Sequence, residues 1–256
     1  LGCGALVYAY LTLPDVRRLA TENPQTTAFM EIRANEARAR GEQPRRVQHW
    51  VDYRRISPDL KRAVLVAEDD AFFQHEGVDF EQLRQSIQVD WARGRFSRGA
   101  STITQQLAKN LYLSPSKNPL RKLRELVIAR RLEVELKKAR ILELYLNVIE
   151  WGDGVYGVDA AAETYFHQPA SALGPTESAL LAGAIVNPRI LTPGRPTARL
   201  LRRGYPKSDP DRRRRRSSDS SDKIAQSAGQ LRARTGDARA GHQIDKSPRF
   251  LERNTR

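Results

Sequence analysis

The sequence predicts a mainly α-helical body, and three observations carry that prediction. Apolar residues recur at three- and four-residue spacing through most of residues 49–203. Ser57-Pro58 and Asn118-Pro119 each join a capping side chain to a first-turn proline. Segments with apolar–polar alternation are few. At 256 residues and 39% hydrophobic, the chain suits one ordinary domain with tails. Collagen-like, disulfide-scaffold and polytopic membrane classes are excluded by composition. A single cysteine, Cys3, precludes an internal disulfide and a Cys-rich structural zinc site. The net charge of +14 points to an anionic partner: nucleic acid, anionic lipid or a phosphorylated substrate.

Taken in order, residues 1–13 are uncharged and are followed by Asp15, Arg17 and Arg18. Thirteen residues cannot span a bilayer, which takes about 20. They read either as the outer end of a transmembrane helix or as a short apolar segment packed on the core. Residues 14–48 are polar, carry Pro24 and Pro44, and read as a stalk with one helix-prone stretch. Ser57 and Pro58 open a helix with Leu60 and Val64 on one face. A second helix is expected near Asp79, capped with Gln82 and striped by Phe80, Leu83, Ile87 and Trp91. After a basic loop at 94–99, a helix from Ser101 or Thr102 turns Ile103, Leu107 and Leu111 inward. Asn118-Pro119 opens a long pattern through Leu120, Leu123, Val127, Leu132 and Leu136, interrupted near Lys138 and resumed to Asn147. Gly152, Gly154 and Gly157 mark a loop, and residues 160–166 and 176–185 are short helices. Residues 204–256 hold fourteen Lys/Arg, seven Asp/Glu and six large apolar residues, with five arginines at 212–216. That composition predicts a disordered basic tail.

Three segments could carry chemistry. Glu68 follows the apolar run AVLVA, so its carboxylate should emerge at the edge of a packed element, where desolvation favours a general base. Asp69, Asp70, Phe72, His75 and Asp79 crowd behind it, and the bland alternative is a solvated acidic turn. Residues 99–110 (GASTITQQLAKN) gather hydroxyls and amides at a helix start, a setting for phosphate or sugar; the alternative is a capped amphipathic helix. Ser101, Gln105 and Lys109 share one face there. Glu125 stands four residues after Arg121, a spacing that also makes an ordinary helical ion pair. Lys109, Lys117, Arg121 and Lys122 could converge on a diphosphate.

Together, Glu68-Asp69-x-x-Phe72-x-x-His75-x-Gly77-x-Asp79, GASTITQQ, Arg121-Lys122-x-x-Glu125 and Lys138-x-x-Ile141-Leu142-Glu143-x-Tyr145-Leu146-Asn147 resemble the peptidoglycan glycosyltransferase family in its monofunctional biosynthetic form. Four of its five signature blocks stand in its order over residues 64–166. The resemblance implies a lysozyme-like helical domain over residues 49–203, with residues 1–13 as the end of a single transmembrane anchor and the enzyme on the outer face of the bacterial cytoplasmic membrane. It implies polymerisation of lipid II into β-1,4 glycan by inverting single displacement, with release of polyprenyl diphosphate. Glu68 matches the family's general base and Glu125 its second glutamate. Asp69, Phe72, His75, Ser101, Thr102, Gln105, Gln106, Lys109, Lys117, Arg121 and Lys122 would bind substrate. No cofactor is required, although Mg or Mn is compatible with a diphosphate. The implied partners are lipid II, the growing strand, membrane lipid and other cell-wall synthesis proteins, not nucleic acid.

One block departs from the pattern. Residues 199–203 (RLLRR) begin the fifth, and Gly204-Tyr205-Pro206 then interrupt it, which predicts that the family's C-terminal helix is lost. Two rival classes are weighed. A glycan-cleaving enzyme of lysozyme-like fold would need neither the cations nor GASTITQQ. A nucleic-acid binder would use the arginines at 212–216, but they lack aromatic interleaving.

Overall fold

In the computed structural model the described residues are 13–78, 101–116 and 118–204. The helix expected at Asp79, the basic loop, Lys117 and the tail from 205 onward lie outside them, as does nearly all of the apolar stretch at the start. Eight α-helices and one three-stranded sheet make up the described part. No helix among these residues is long and apolar enough to cross a membrane.

The proline-headed helices form as their caps dictate. In α2 (Pro58–Glu68), Ser57 Oγ accepts from Asp59 N–H and donates to Leu173 O at 2.6 Å, tying the helix start to the segment before α7 (Pro175–Ala184). Leu60 and Val64 are fully buried where α2 packs along α7. The helix α3 (Ile103–Tyr112) is capped by Thr102 and lies at the centre. It packs on α4 (Pro119–Glu135) and α5 (Lys138–Val148), with Ile103, Leu107, Ile128, Leu132, Ile141 and Leu142 closing the core. The break between α4 and α5 falls at Leu136 and Lys137, beside the expected position.

Three expectations need correction. The stripe on α4 holds only in its second half: Leu132 and Leu136 are buried, but Leu120 is 69% and Leu123 53% exposed, and Glu125, Ile128 and Ala129 face inward. Helical spacing alone cannot say which of two overlapping faces is inner, and here the buried face carries a glutamate. The stalk is not free-standing. Its helix α1 (Ala28–Ala39), capped by Thr27, packs on α3, and Val16, Leu19 and Met30 belong to the main core. The glycine loop is a small sheet, in which β1 (Val47–Gln48) runs parallel to β3 (Val155–Tyr156) and β2 (Glu150–Gly152) antiparallel to it. Strands of two and three residues are too short for alternation to show.

Helix α6 (Val158–Phe166) follows Gly157, whose φ of +78° a β-carbon resists. That β-carbon would sit 2.9 Å from Asn147 O. Gly157→Ala is therefore expected to cost about 2 kcal/mol and lower Tm by roughly 4–8 °C in a thermal melt. Helix α8 (Ala198–Gly204) contains the RLLRR residues and buries Leu200 against Leu180, Ala184 and Leu191.

Candidate active site

Glu68 is the last residue of α2, half-buried where the helix ends. Asp69 is the C-cap and is 1% exposed. Its carboxylate accepts from Ile103 N–H at 2.9 Å, one of the first-turn amides of α3 that have no partner inside their own helix. It also accepts from His75 Nε2 at 2.9 Å. Gly77 N–H donates to His75 Nδ1, which therefore keeps its lone pair and leaves the proton on Nε2, facing Asp69. Thr102 Oγ1 and Gln105 Nε2 both donate to Gly77 O, at 2.7 and 3.1 Å. Six residues thus lock the end of α2 to the start of α3.

Phe72 is fully buried, edge-on to Phe73 and His75, with Lys138 Nζ 4.3 Å above its ring. Phe72, Asp69 and His75 were expected to touch substrate. Phe72 and Asp69 are buried beside the end of α2, and both Asp69 oxygens accept from protein donors. Sequence order cannot separate a residue lining a cleft from one bracing it.

On α3, Gln106 Nε2 donates to Glu68 Oε2 at 2.8 Å. Lys109 is half-buried on the same helix. Desolvation pulls its ammonium below the usual lysine range; Arg121 and Lys122 pull the same way, while Glu125 and Glu68 resist. Lys109 therefore lies within electrostatic reach of both glutamates. On α4, Glu125 is 3% exposed: Arg121 Nη1 donates to its Oε2 at 2.6 Å, and Lys122 Nζ reaches its Oε1. Lys122 also donates to Gln105 Oε1 at 2.9 Å and Ser101 Oγ at 3.1 Å. The i−4 pair is present, but deep rather than solvated. Each Glu125 oxygen accepts from a cation, so Glu125 holds Arg121 and Lys122 in place.

Of the expected diphosphate cluster, Lys109, Arg121 and Lys122 come together through Glu125. An open cleft of about 340 Å³ runs past Gln106, Lys109 and Asn110 to Asn187 and Arg189. Arg33 and Glu150 also line it, joined at 3.1 Å. Their segments lie 117 residues apart, so no local pattern could pair them. Among the described residues, no group of three or more His, Cys, Asp or Glu could hold a metal ion.

A half-buried carboxylate set beside a row of fixed cations is the equipment of an enzyme that transfers a group away from an anionic leaving group. Residues 35–206 match the family model described as Transglycosylase, and the chain belongs to that family. The biosynthetic peptidoglycan transglycosylase of Aromatoleum aromaticum is 50% identical over 167 residues, 65% of this chain and 73% of its own. That of Dechloromonas aromatica is 49% identical over 167 residues, 65% and 72% of the two chains. That of Nitrosomonas eutropha is 46% identical over 200 residues, 78% and 82%. The chain is accordingly a glycosyltransferase enzyme of peptidoglycan synthesis, and its mainly helical fold is the one expected.

Proposed function

We propose that the enzyme polymerises lipid II into β-1,4 glycan with release of polyprenyl diphosphate, by a single displacement that inverts the donor carbon. The observation that supports this best is that Gln106, which lines the cleft with Lys109, holds Glu68, and that Lys109 lies within electrostatic reach of both Glu68 and the Glu125 that anchors Arg121 and Lys122. Inversion needs a base on the face opposite the leaving group, and Glu68 takes the proton from the acceptor 4-hydroxyl. The diphosphate leaves unprotonated because Lys109, Arg121 and Lys122 meet its growing charge. Removing one of these contacts should cost roughly 2–4 kcal/mol of barrier. Ser101, Thr102, Gln105 and Gln106 shape the site between base and cations. This substrate places the enzyme at the outer face of the cytoplasmic membrane, with anionic lipid as a neighbour.

The test is incubation of the full chain with purified lipid II, with products separated by length, linkage read by NMR and diphosphate release followed. Polymer with β linkages and stoichiometric polyprenyl diphosphate is expected. Shortening of preformed glycan without polymer from lipid II would overturn the reading in favour of a hydrolase.

Lys109 adds a pH prediction. Its ammonium, weakened by burial, loses its proton below the ordinary lysine value of 10.5, so kcat/KM should fall on the alkaline side below that value. Lys109→Arg keeps its charge across that range and should move the alkaline limb upward. Profiles of kcat/KM against pH for the two enzymes check this; identical alkaline limbs would remove Lys109 from the step.

A further inference from the structure

We infer that Tyr145 is a positioning residue for Glu68, acting through Gln106. The inference rests on Glu68 as the base in the proposed function. Tyr145 lies on α5, fully buried, and its hydroxyl donates to Gln106 Oε1 at 2.9 Å. The other end of the same amide, Nε2, donates to Glu68 Oε2 at 2.8 Å and lies 3.4 Å from Ser101 O. A carboxylate and a backbone carbonyl can only accept, so Nε2 must face them and Oε1 must face Tyr145. A phenol can supply the donor that Oε1 then needs only while it is protonated. Burial, reinforced by Glu68 and Asp69, pushes the Tyr145 hydroxyl well above its ordinary range and keeps it so. Three helices are thereby joined in one chain of donors, from α5 through α3 to the end of α2.

The charged surroundings of Glu68 leave this relay a distinct job. Among the described residues, Asp69 and Asp70 follow it directly in the chain, while Asp59, Lys61 and Arg62 of α2 lie more than a turn back along the helix; from α3 it is in electrostatic reach of Lys109, and from α5 of Tyr145. Helix α7, packed along α2, has one ionisable side chain, Glu177, in its first turn. Glu177 is four residues past Leu173, whose carbonyl binds Ser57 at the far end of α2. The N–H of Gln106 is a neutral donor that favours the ionised carboxylate. Tyr145 keeps that donor aimed.

The experiment compares the pH dependence of kcat/KM on lipid II for the parent, Gln106→Leu, Tyr145→Phe and the double variant. Tyr145→Phe retains the ring that fills the core, and a thermal melt verifies that each protein is folded. Losing the donor destabilises the ionised base. The acidic limb should therefore move upward by about one pH unit in Gln106→Leu and in the same direction, by less, in Tyr145→Phe. In Tyr145→Phe the effect should appear in the position of the limb and not as a loss of folding. Because Tyr145 acts through Gln106, the double variant should shift no further than Gln106→Leu alone. An unmoved limb in Tyr145→Phe, or a shift that adds in full to that of Gln106→Leu, overturns the relay. Glu68→Gln is run alongside: if it remains active, the base assignment fails, whereas an inactive Glu68→Gln with an unmoved Tyr145→Phe limb sinks the relay alone.

Discussion

Replacing Glu68 with glutamine should reduce kcat/KM for polymer formation by about 10²–10⁴-fold, the contribution of a well-placed general base. The fold should not change. Glutamine has the shape of glutamate, and at this half-exposed position its carbonyl can still accept from Gln106 Nε2. The loss should appear in kcat with KM little altered, since the amide still occupies the cleft but cannot take a proton. Raising the pH should not restore activity, unlike a variant whose base is present but mistuned. Product length on gels together with a melting curve decides the matter. Residual activity within tenfold of the parent would move the base elsewhere and leave Glu68 as a wall of the site.

Much of this was legible in the chain because the relevant signals are local. A capping serine or asparagine followed by proline states where a helix begins, and both such starts hold. The break before Lys138 and the short late helices followed from spacing in the same way. What escaped depends on partners distant in sequence. Residues 14–48 looked like a stalk because their apolar residues are sparse, yet Val16, Leu19 and Met30 suffice to seat them on the core. On α4 Leu132 and Leu136 of the expected stripe are buried, but Leu120 and Leu123 are exposed and Glu125, held by Arg121 and Lys122, lies inward, which hydrophobicity alone does not indicate.

The candidate site divides along the same line. The convergence of Arg121 and Lys122 on Glu125 could be anticipated from i+4 and i+3 spacing once α4 was helical, whereas Lys109 joins them from another helix. The relation of Glu68 to Gln106 spans 38 positions and depends on where α2 ends relative to where α3 begins. Tyr145 stood within the fourth block, but a tyrosine at helical spacing reads as core, and it is fully buried. Its function lies in one hydroxyl. The same difficulty applies to Asp69, Phe72 and His75, which brace one another and the start of α3 through contacts that no sequence pattern states.

That bracing leads to the second large effect. Asp69→Ala should be the most destabilising of the substitutions considered, because it deprives two buried donors at once. Ile103 N–H would lose its acceptor at the start of α3, and so would His75 Nε2–H. Each orphaned donor costs about 1–3 kcal/mol, and the favourable charge at the helix N-terminus is lost as well. A total of roughly 2–5 kcal/mol corresponds to a Tm lower by about 5–15 °C in a domain of this size. Asp69→Asn should fall between, since one of the two donors must then face an amide N–H. His75→Ala should cost less than Asp69→Ala, and the pair should be strongly non-additive, because after Asp69 is removed His75 has no acceptor left to lose. Melting of the three single variants and the Asp69/His75 double variant measures this directly. Additive losses would mean that the two side chains stabilise the junction independently, and Asp69 would then no longer be the residue that sets Glu68 against Gln106.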